Sequence, residues 1–395
     1  MKKKVLAAFL SVAMISSLLV GCGSTAAETA APAATEEAAP AEEEAPAEEA
    51  AEETEEEAPA EEAATDSDVP APAKSSDYDA SADPAIDLIF TANASSSDWH
   101  GKAMTEFANA VEELSGGSVT CSVYADSTLY SSENEWDAIT TGQAAGGADM
   151  AYISFQTLST QPGLEWCEMI GSAYFWSSYD HMNNTLNGEI GQEIYDRISS
   201  TVNVTPINAF YLGSRVINTT NKEINSYDDM KGLLLRMPSS EAWLNLGRAL
   251  NAEPTSMAFS ELYTALQTGA IEGQDNPLPS DIANGFYEVA PYFAITNHVV
   301  DSILPCMCTT TWNSLTEAQQ LAVKDAFAYA RDWNNYYRLD EEASDIDTLV
   351  NEYGCTVTYP SVDEFKAGAK AWYDEHTDVT ANWDMDLYDK IQANN

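Results

Sequence analysis

The run "KGLLLRMPSS" at residues 231–240 places a permanently charged side chain, Arg236, at the end of an apolar stretch. A guanidinium is seldom buried without a partner, and its donors form a rigid fork that matches a carboxylate. Leu233, Leu234 and Leu235 read as a buried strand, Pro238 as its stop, and Ser239 or Ser240 as the cap of a following helix. In an α/β lobe, that junction is where anions are held, because backbone N–H groups and the helix dipole both point outward there. On position alone, the same arginine could instead pair with an internal Asp or Glu. Other chemistries find little support. The histidines His100, His181, His298 and His376 are scattered, and Cys306 and Cys308 are two apart with no second pair at metal-ligand spacing, so no metal site is expected. No GxGxxG or Walker pattern points to a nucleotide, and no GxSxG, HExxH or SxxK constellation points to an enzyme. The expectation is a binding protein without catalysis or cofactor.

Charge narrows the partners. The chain has 64 acidic and 17 basic residues and a formal charge of −47. Residues 1–22 contribute +3, residues 23–84 contribute −19 and residues 85–395 contribute −31. A folded part this acidic is a poor match for nucleic acid, whose phosphates dominate affinity. Arginine is scarce, with only Arg197, Arg215, Arg236, Arg248, Arg331 and Arg338. An anion site here must concentrate what little positive charge there is.

The elements that carry these residues fall into three regions. The start, "MKKKVLAAFLSVAMISSLLVGCGS", is a Lys-rich end, a short apolar run and small residues before a cysteine, as in a secretory signal at 1–21. "LVGC" resembles the lipobox of bacterial lipoproteins, which makes Cys22 the expected lipidation site and sole membrane anchor. One acyl chain holds a membrane weakly, whereas multiple acylation holds it stably. Residues 22–84, rich in Ala, Glu and Pro with Tyr78 the only aromatic, read as a disordered tether reaching on the order of 45 Å or more. Five further cysteines, Cys121, Cys167, Cys306, Cys308 and Cys355, are an odd number in a chain that needs no staples, and read mostly as buried small hydrophobes.

From residue 85, "AIDLIFTANA", "DWHGKAMTEFANAVEELSGG", "SVTCSVYA", "ENEWDAITTGQ" and "ADMAYIS" spell strand, helix, strand, helix, strand. That is the grammar of a parallel sheet, whose ligand crevice lies beyond the strands' carboxyl ends. It restarts near residue 209 with "AFYLGSRVINTT", a short "YDDMK" helix capped by Ser226 and ended by Gly232, the strand "LLLRM" and two more helices. Two such units predict a two-lobed α/β fold with a cleft, lobe I at 85–212 plus 302–340 and lobe II at 213–301 plus 341–395. "NHVVDSILPCMCTTTW" reads as two or three short strands crossing between lobes, and "TEAQQLAVKDAFAYARDWNNYYRLDEEASDIDTLVNEYG" as one long helix bridging both.

The run from "GSRVINTTNKEINSYDDMKGLLLRMPSS" through "EPTSMAFSELYTALQTGAIEGQDNP" to "YEVAPYFAITNHVV" resembles the second-lobe signature of the solute-binding subunits of tripartite ATP-independent periplasmic (TRAP) transporters. The resemblance implies an extracytoplasmic, monomeric receptor that captures a carboxylate-containing organic acid, such as a C4-dicarboxylate, sugar acid or sialic-acid-like compound. It implies delivery to the small and large TRAP membrane subunits. A binding protein of an ATP-driven importer, or one presenting ligand to a sensor, is the alternative. In the family, the arginine of the LR-V/M-P strand end clamps the ligand carboxylate, which is Arg236 here. The asparagine of the GQ-E/D-N-P motif supports it, which is Asn276, and the arginine of G-x-R contributes, which is Arg215. The aromatic after "TSMA", Phe259, matches a pocket wall, and Ser239 lies beside the clamp. Asn93, Glu135 and Phe155 fall where first-lobe ligand contacts tend to lie.

Overall fold

The computed structural model describes residues 69–395; the expected signal segment, the expected lipidation site Cys22 and most of the expected tether lie outside the described residues. The last part of the expected tether is docked rather than loose. Tyr78 donates its hydroxyl to Asp325 at 3.0 Å and Ala80 is fully buried, so the ordered body begins before the boundary expected at residue 84. The one aromatic in that segment supplies the reason, since its ring packs onto the cluster built around Phe90, Phe107 and Phe327.

Eleven strands are present among the described residues: β1 (Ile86–Thr91), β2 (Val119–Tyr124), β3 (Met150–Ile153), β4 (Val204–Pro206), β5 (Phe210–Thr219), β6 (Leu234–Met237), β7 (Glu253–Ser256), β8 (Gly273–Pro277), β9 (Tyr292–Ala294), β10 (Val300–Cys308) and β11 (Thr356–Thr358). Their main path runs β2-β1-β3-β10-β5-β8-β6-β7. β1 is parallel to β2 and β3, and β6 is parallel to β7 and β8, as two successive βα units require. This is the expected two-lobed α/β architecture.

The crossing is made differently from the expectation. In place of two or three short strands, β10 is one nine-residue strand. Its first residues pair antiparallel with β5 and its later ones with β3 and β4, while the far end of β5 pairs with β8. The register shifts between Asp301 and Ser302, a bulge that leaves Leu212 of β5 without an opposite number. Gly213 follows at φ +111, and a Cβ there would lie 2.6 Å from Pro277 and 2.8 Å from Glu342 Oε1. Only glycine fits both the backbone and the space.

The long helix spans Glu317–Asn351, started by a capping box in which Thr316 and Gln319 exchange side-chain and backbone bonds. Its first half buries Phe327 against Phe107, ring centroids 3.8 Å apart, and farther along Leu349 joins Val216 and Phe293 of the second half. It thus touches both lobes. The final helix, Met385–Gln392, departs from the expected division: Leu387 and Ile391 pack with Met182 and Leu186 of the first lobe. All five cysteines among the described residues are free.

Candidate functional site

A cavity of about 380 Å³ lies beyond the carboxyl ends of β1, β3, β6 and β8. Each of these strands hands the chain to it: Asn93 and Ser95 after β1, Ser154 and Thr157 after β3, Pro238 and Ser239 after β6, Ser280 after β8. The volume is within the usual range for small-molecule sites, about 300–1,000 Å³.

Arg236, in β6, sits in register with Thr255 and Gln274 and is 2% exposed. Pro238 ends the strand and Ser240 caps the next helix, accepting the Trp243 N–H, so the guanidinium stands at the expected strand-to-helix junction. Nε and Nη2 both donate to the Met257 carbonyl, at 3.0 and 2.8 Å, but Nη1 is buried with no hydrogen-bond partner. Burial pulls the group down to about 10, with Arg215 also repelling it, yet it stays charged at neutral pH. No carboxylate is recorded in an ion pair with it among the described residues. The internal-pair reading of Arg236 therefore does not hold; that arrangement belongs to Arg215.

Arg215 is fully committed. Nε donates to Asp275 Oδ2 at 2.7 Å, Nη1 to Asp301 Oδ2 at 2.6 Å, and Nη2 to the Asp275 carbonyl and to Asn276 Oδ1. Burial alone would lower its affinity for a proton, but Asp275 and Asp301 outweigh burial and hold it above its ordinary value. His298 closes the far side of Asp275 at 3.2 Å. The carboxamide of Asn276 bridges Arg215 and Gln274, and Phe259 lies edge-on to Phe286 with the Arg236 guanidinium 5.9 Å from its ring centre.

Across the cavity stands Glu135, 4% exposed, with Oε1 unpartnered. Burial pushes its carboxyl up to about 8, with Glu133 adding to the shift and the Asn93 N–H opposing it. A carboxyl whose folded value is raised from 4.5 contributes stability that is lost as pH rises through about 8. The unliganded protein is therefore expected to lose on the order of 1–3 kcal/mol between mildly acidic pH and pH 9, a range typical of an unpaired buried polar group. Glu135→Gln should flatten that part of a denaturation-versus-pH profile; an unchanged slope would refute the assignment.

A second ionic network was not anticipated from the sequence. Arg338, fully buried on the long helix, donates through Nη2 to Asp98 Oδ1 and His100, and through Nη1 to the Leu212 carbonyl at 2.7 Å, the group the β5 bulge frees. Ser280 donates to Asp98 Oδ2 at 2.6 Å. Asp98, His100 and Ser280 line the cavity, so first lobe, second lobe and bridging helix meet behind its wall. The sequence places Asn334 and Arg338 four apart, hence on one helical face, but only the structure shows that this face is the buried one.

Of the expected residues, Arg236, Asn276, Arg215, Phe259, Ser239, Asn93 and Glu135 all line this one cavity. Phe155 does not. As the first residue of the helix Phe155–Leu158, it turns into the core against Leu158 and Trp166, and its neighbours Ser154 and Thr157 reach the cavity instead.

Comparison with known proteins gives a consistent result. Residues 90–378 match the family model DctP, "bacterial extracellular solute-binding protein, family 7". The sialic acid-binding periplasmic protein SiaP of Vibrio cholerae is 29% identical over 75% of this chain and 90% of its own. A crystal structure of a TRAP periplasmic solute-binding protein from Roseobacter denitrificans, with bound 3-deoxy-D-manno-oct-2-ulosonic acid, is 30% identical. It superposes with a TM-score of 0.73, covering 79% of this chain and all of that one. A second protein of that organism, with bound L-galactonate, is 27% identical at a TM-score of 0.69, covering 79% of this chain and 99% of that one.

Proposed function

The chain belongs to family 7 of the bacterial extracellular solute-binding proteins, and from that premise we propose that Arg236 is the clamp by which it holds a ligand carboxylate. It is an extracytoplasmic receptor of the TRAP type, capturing an organic acid for a membrane permease. The observation that carries the clamp is the unpartnered Nη1 of a buried, charged guanidinium facing the cavity. A carboxylate there gives up its hydration, and the charge-assisted bonds offset the loss. Asn276 adds a carboxamide, Phe259 and Ser239 shape the near wall, and Asn93 and Glu135 meet the ligand from the first lobe. Arg215, neutralised by its two aspartates, acts by fixing Asn276 and Asp275 rather than by holding the ligand alone.

The receptor performs no chemistry on its cargo: acid recovered from the complex is expected unaltered by mass spectrometry. Closure of one lobe on the other over the ligand supplies the shape that the small and large membrane subunits read. A thermal-shift screen of purified protein against organic acids tests the function directly. A true ligand at a hundred times its Kd should add about 2.7 kcal/mol of stability, and a flat response to every acid would sink the reading.

Anchoring is through lipid on Cys22, with residues 23 onward as the tether and the receptor acting as a monomer. Among the described residues no helix is long and apolar enough to cross a membrane. Cys22→Ser is expected to move most of the protein from the membrane fraction to the released fraction on cell fractionation; retention on the membrane would argue for another anchor.

A further inference from the structure

Resting on the reading of the cavity as a carboxylate site, we infer that its ligand is a polyhydroxylated monocarboxylate, a sugar acid, and that C4-dicarboxylates are rejected. The argument is a charge inventory of the wall. The cationic candidates lining the cavity are Arg215, Arg236 and His100, and no lysine joins them. Arg215 is spent on Asp275 and Asp301, and His100 is held between Arg338 and Asp98. Arg236 alone keeps an unpartnered donor, enough for one carboxylate.

The wall around Glu135 holds no cation for a second one. Glu133, Glu135 and Asp137 line it, and Glu135 is buried with an oxygen unpartnered. Around them, Asn93, Ser95, Ser154, Thr157, Asn284 and Ser302 offer neutral groups that both donate and accept, as hydroxyls do. Trp136, partly buried, supplies apolar surface for the C–H face of a sugar chain. The cavity's own volume, about 380 Å³, leaves room for a chain of several carbons, and a second recess of about 220 Å³ shares Asn93, Ser95, Phe259 and Asn284 with its wall. A carboxylate placed beside Glu135 would be an anion without a counter-charge, which costs far more than a hydrogen-bonded hydroxyl in the same place. A hydroxyl there gives Glu135 the partner it lacks.

The test is calorimetric titration of the full-length protein with D-galactonate, D-gluconate and 3-deoxy-D-manno-oct-2-ulosonate against succinate, fumarate and the zwitterion L-glutamine. A sugar acid is expected to bind at least about 100-fold tighter than succinate, a floor well below the roughly 10⁴-fold by which a site built to hydrogen-bond hydroxyls can reject ligands without them. Succinate or fumarate within tenfold of the best sugar acid, or a preference for L-glutamine, would overturn the inference while leaving the receptor function standing. Silence from all six would remove both. Glu135 gives an internal check. Glu135→Ala should weaken the sugar acid about 10- to 100-fold, while Glu135→Gln, which still donates and accepts, should stay within about tenfold of wild type. Equal damage from both would mean that a charge, not a hydroxyl partner, is what the ligand needs.

Discussion

Replacing Arg236 with alanine is expected to abolish useful acid binding while leaving the unliganded protein as stable as before, or more so. Truncating one member of a buried, hydrogen-bonded charge pair typically costs about 2–5 kcal/mol, or roughly 30- to several-thousand-fold in Kd. The effect on the free protein runs the other way. Arg236 is buried, is paired only with the Met257 carbonyl and leaves Nη1 orphaned, so its removal takes away an unfavourable buried charge. Arg236→Lys keeps a charge but loses the fork that spans Met257 and the ligand, and should also weaken binding, by about tenfold or more. Titration calorimetry on the best acid from the screen, with thermal melts of the free variants, separates the two effects. Wild-type affinity in Arg236→Ala would end the clamp assignment.

Arg338→Met should produce the opposite pattern, a large loss of stability in the free protein. Asp98 is buried, and Arg338 and His100 outweigh that burial and hold its carboxyl well below the usual range. Without Arg338 the carboxylate remains buried with only Ser280 and His100 beside it, a situation that costs about 3–5 kcal/mol. Because the folded value is depressed, the network's stabilisation is present above the ordinary carboxylate range and is lost only in stronger acid. The double variant Asp98→Asn with Arg338→Met should recover much of the loss, since both charges are then gone. Denaturant midpoints measure this, and a single variant as stable as wild type would show that the network is not structural.

The second lobe was far more legible than the first, and the reason lies in how each holds its site. Arg236, Pro238, Ser240 and Asn276 occupy strand ends and a helix cap, and each announces itself by residue type within a few positions. The first-lobe wall is made of loop residues such as Asn93, Ser132 and Ser154, whose types are common and whose approach depends on the sheet. Phe155 shows the limit, because a register difference of one residue decides whether the phenyl or the Ser154 hydroxyl faces the cavity. Arg338 escaped notice because a long amphipathic helix full of charges gives no local sign of which one is inside. The continuity of the crossing strand β10 is not legible locally, since it holds a proline, a residue usually kept out of strand interiors. Pro305 lies within β10, at the stretch where pairing has passed from β5 to β3.

The junction at Gly213 has a mechanical consequence. The lobes are joined by two ladder-bonded strands and a 35-residue helix, not by loose chain. Opening such a joint is flexure, resisted by every bond in the ladder, and the bulge beside Gly213 is where the beam is thinnest. The protein is expected to open and close by flexing at this joint over a short travel, rather than by swinging freely on loose chain.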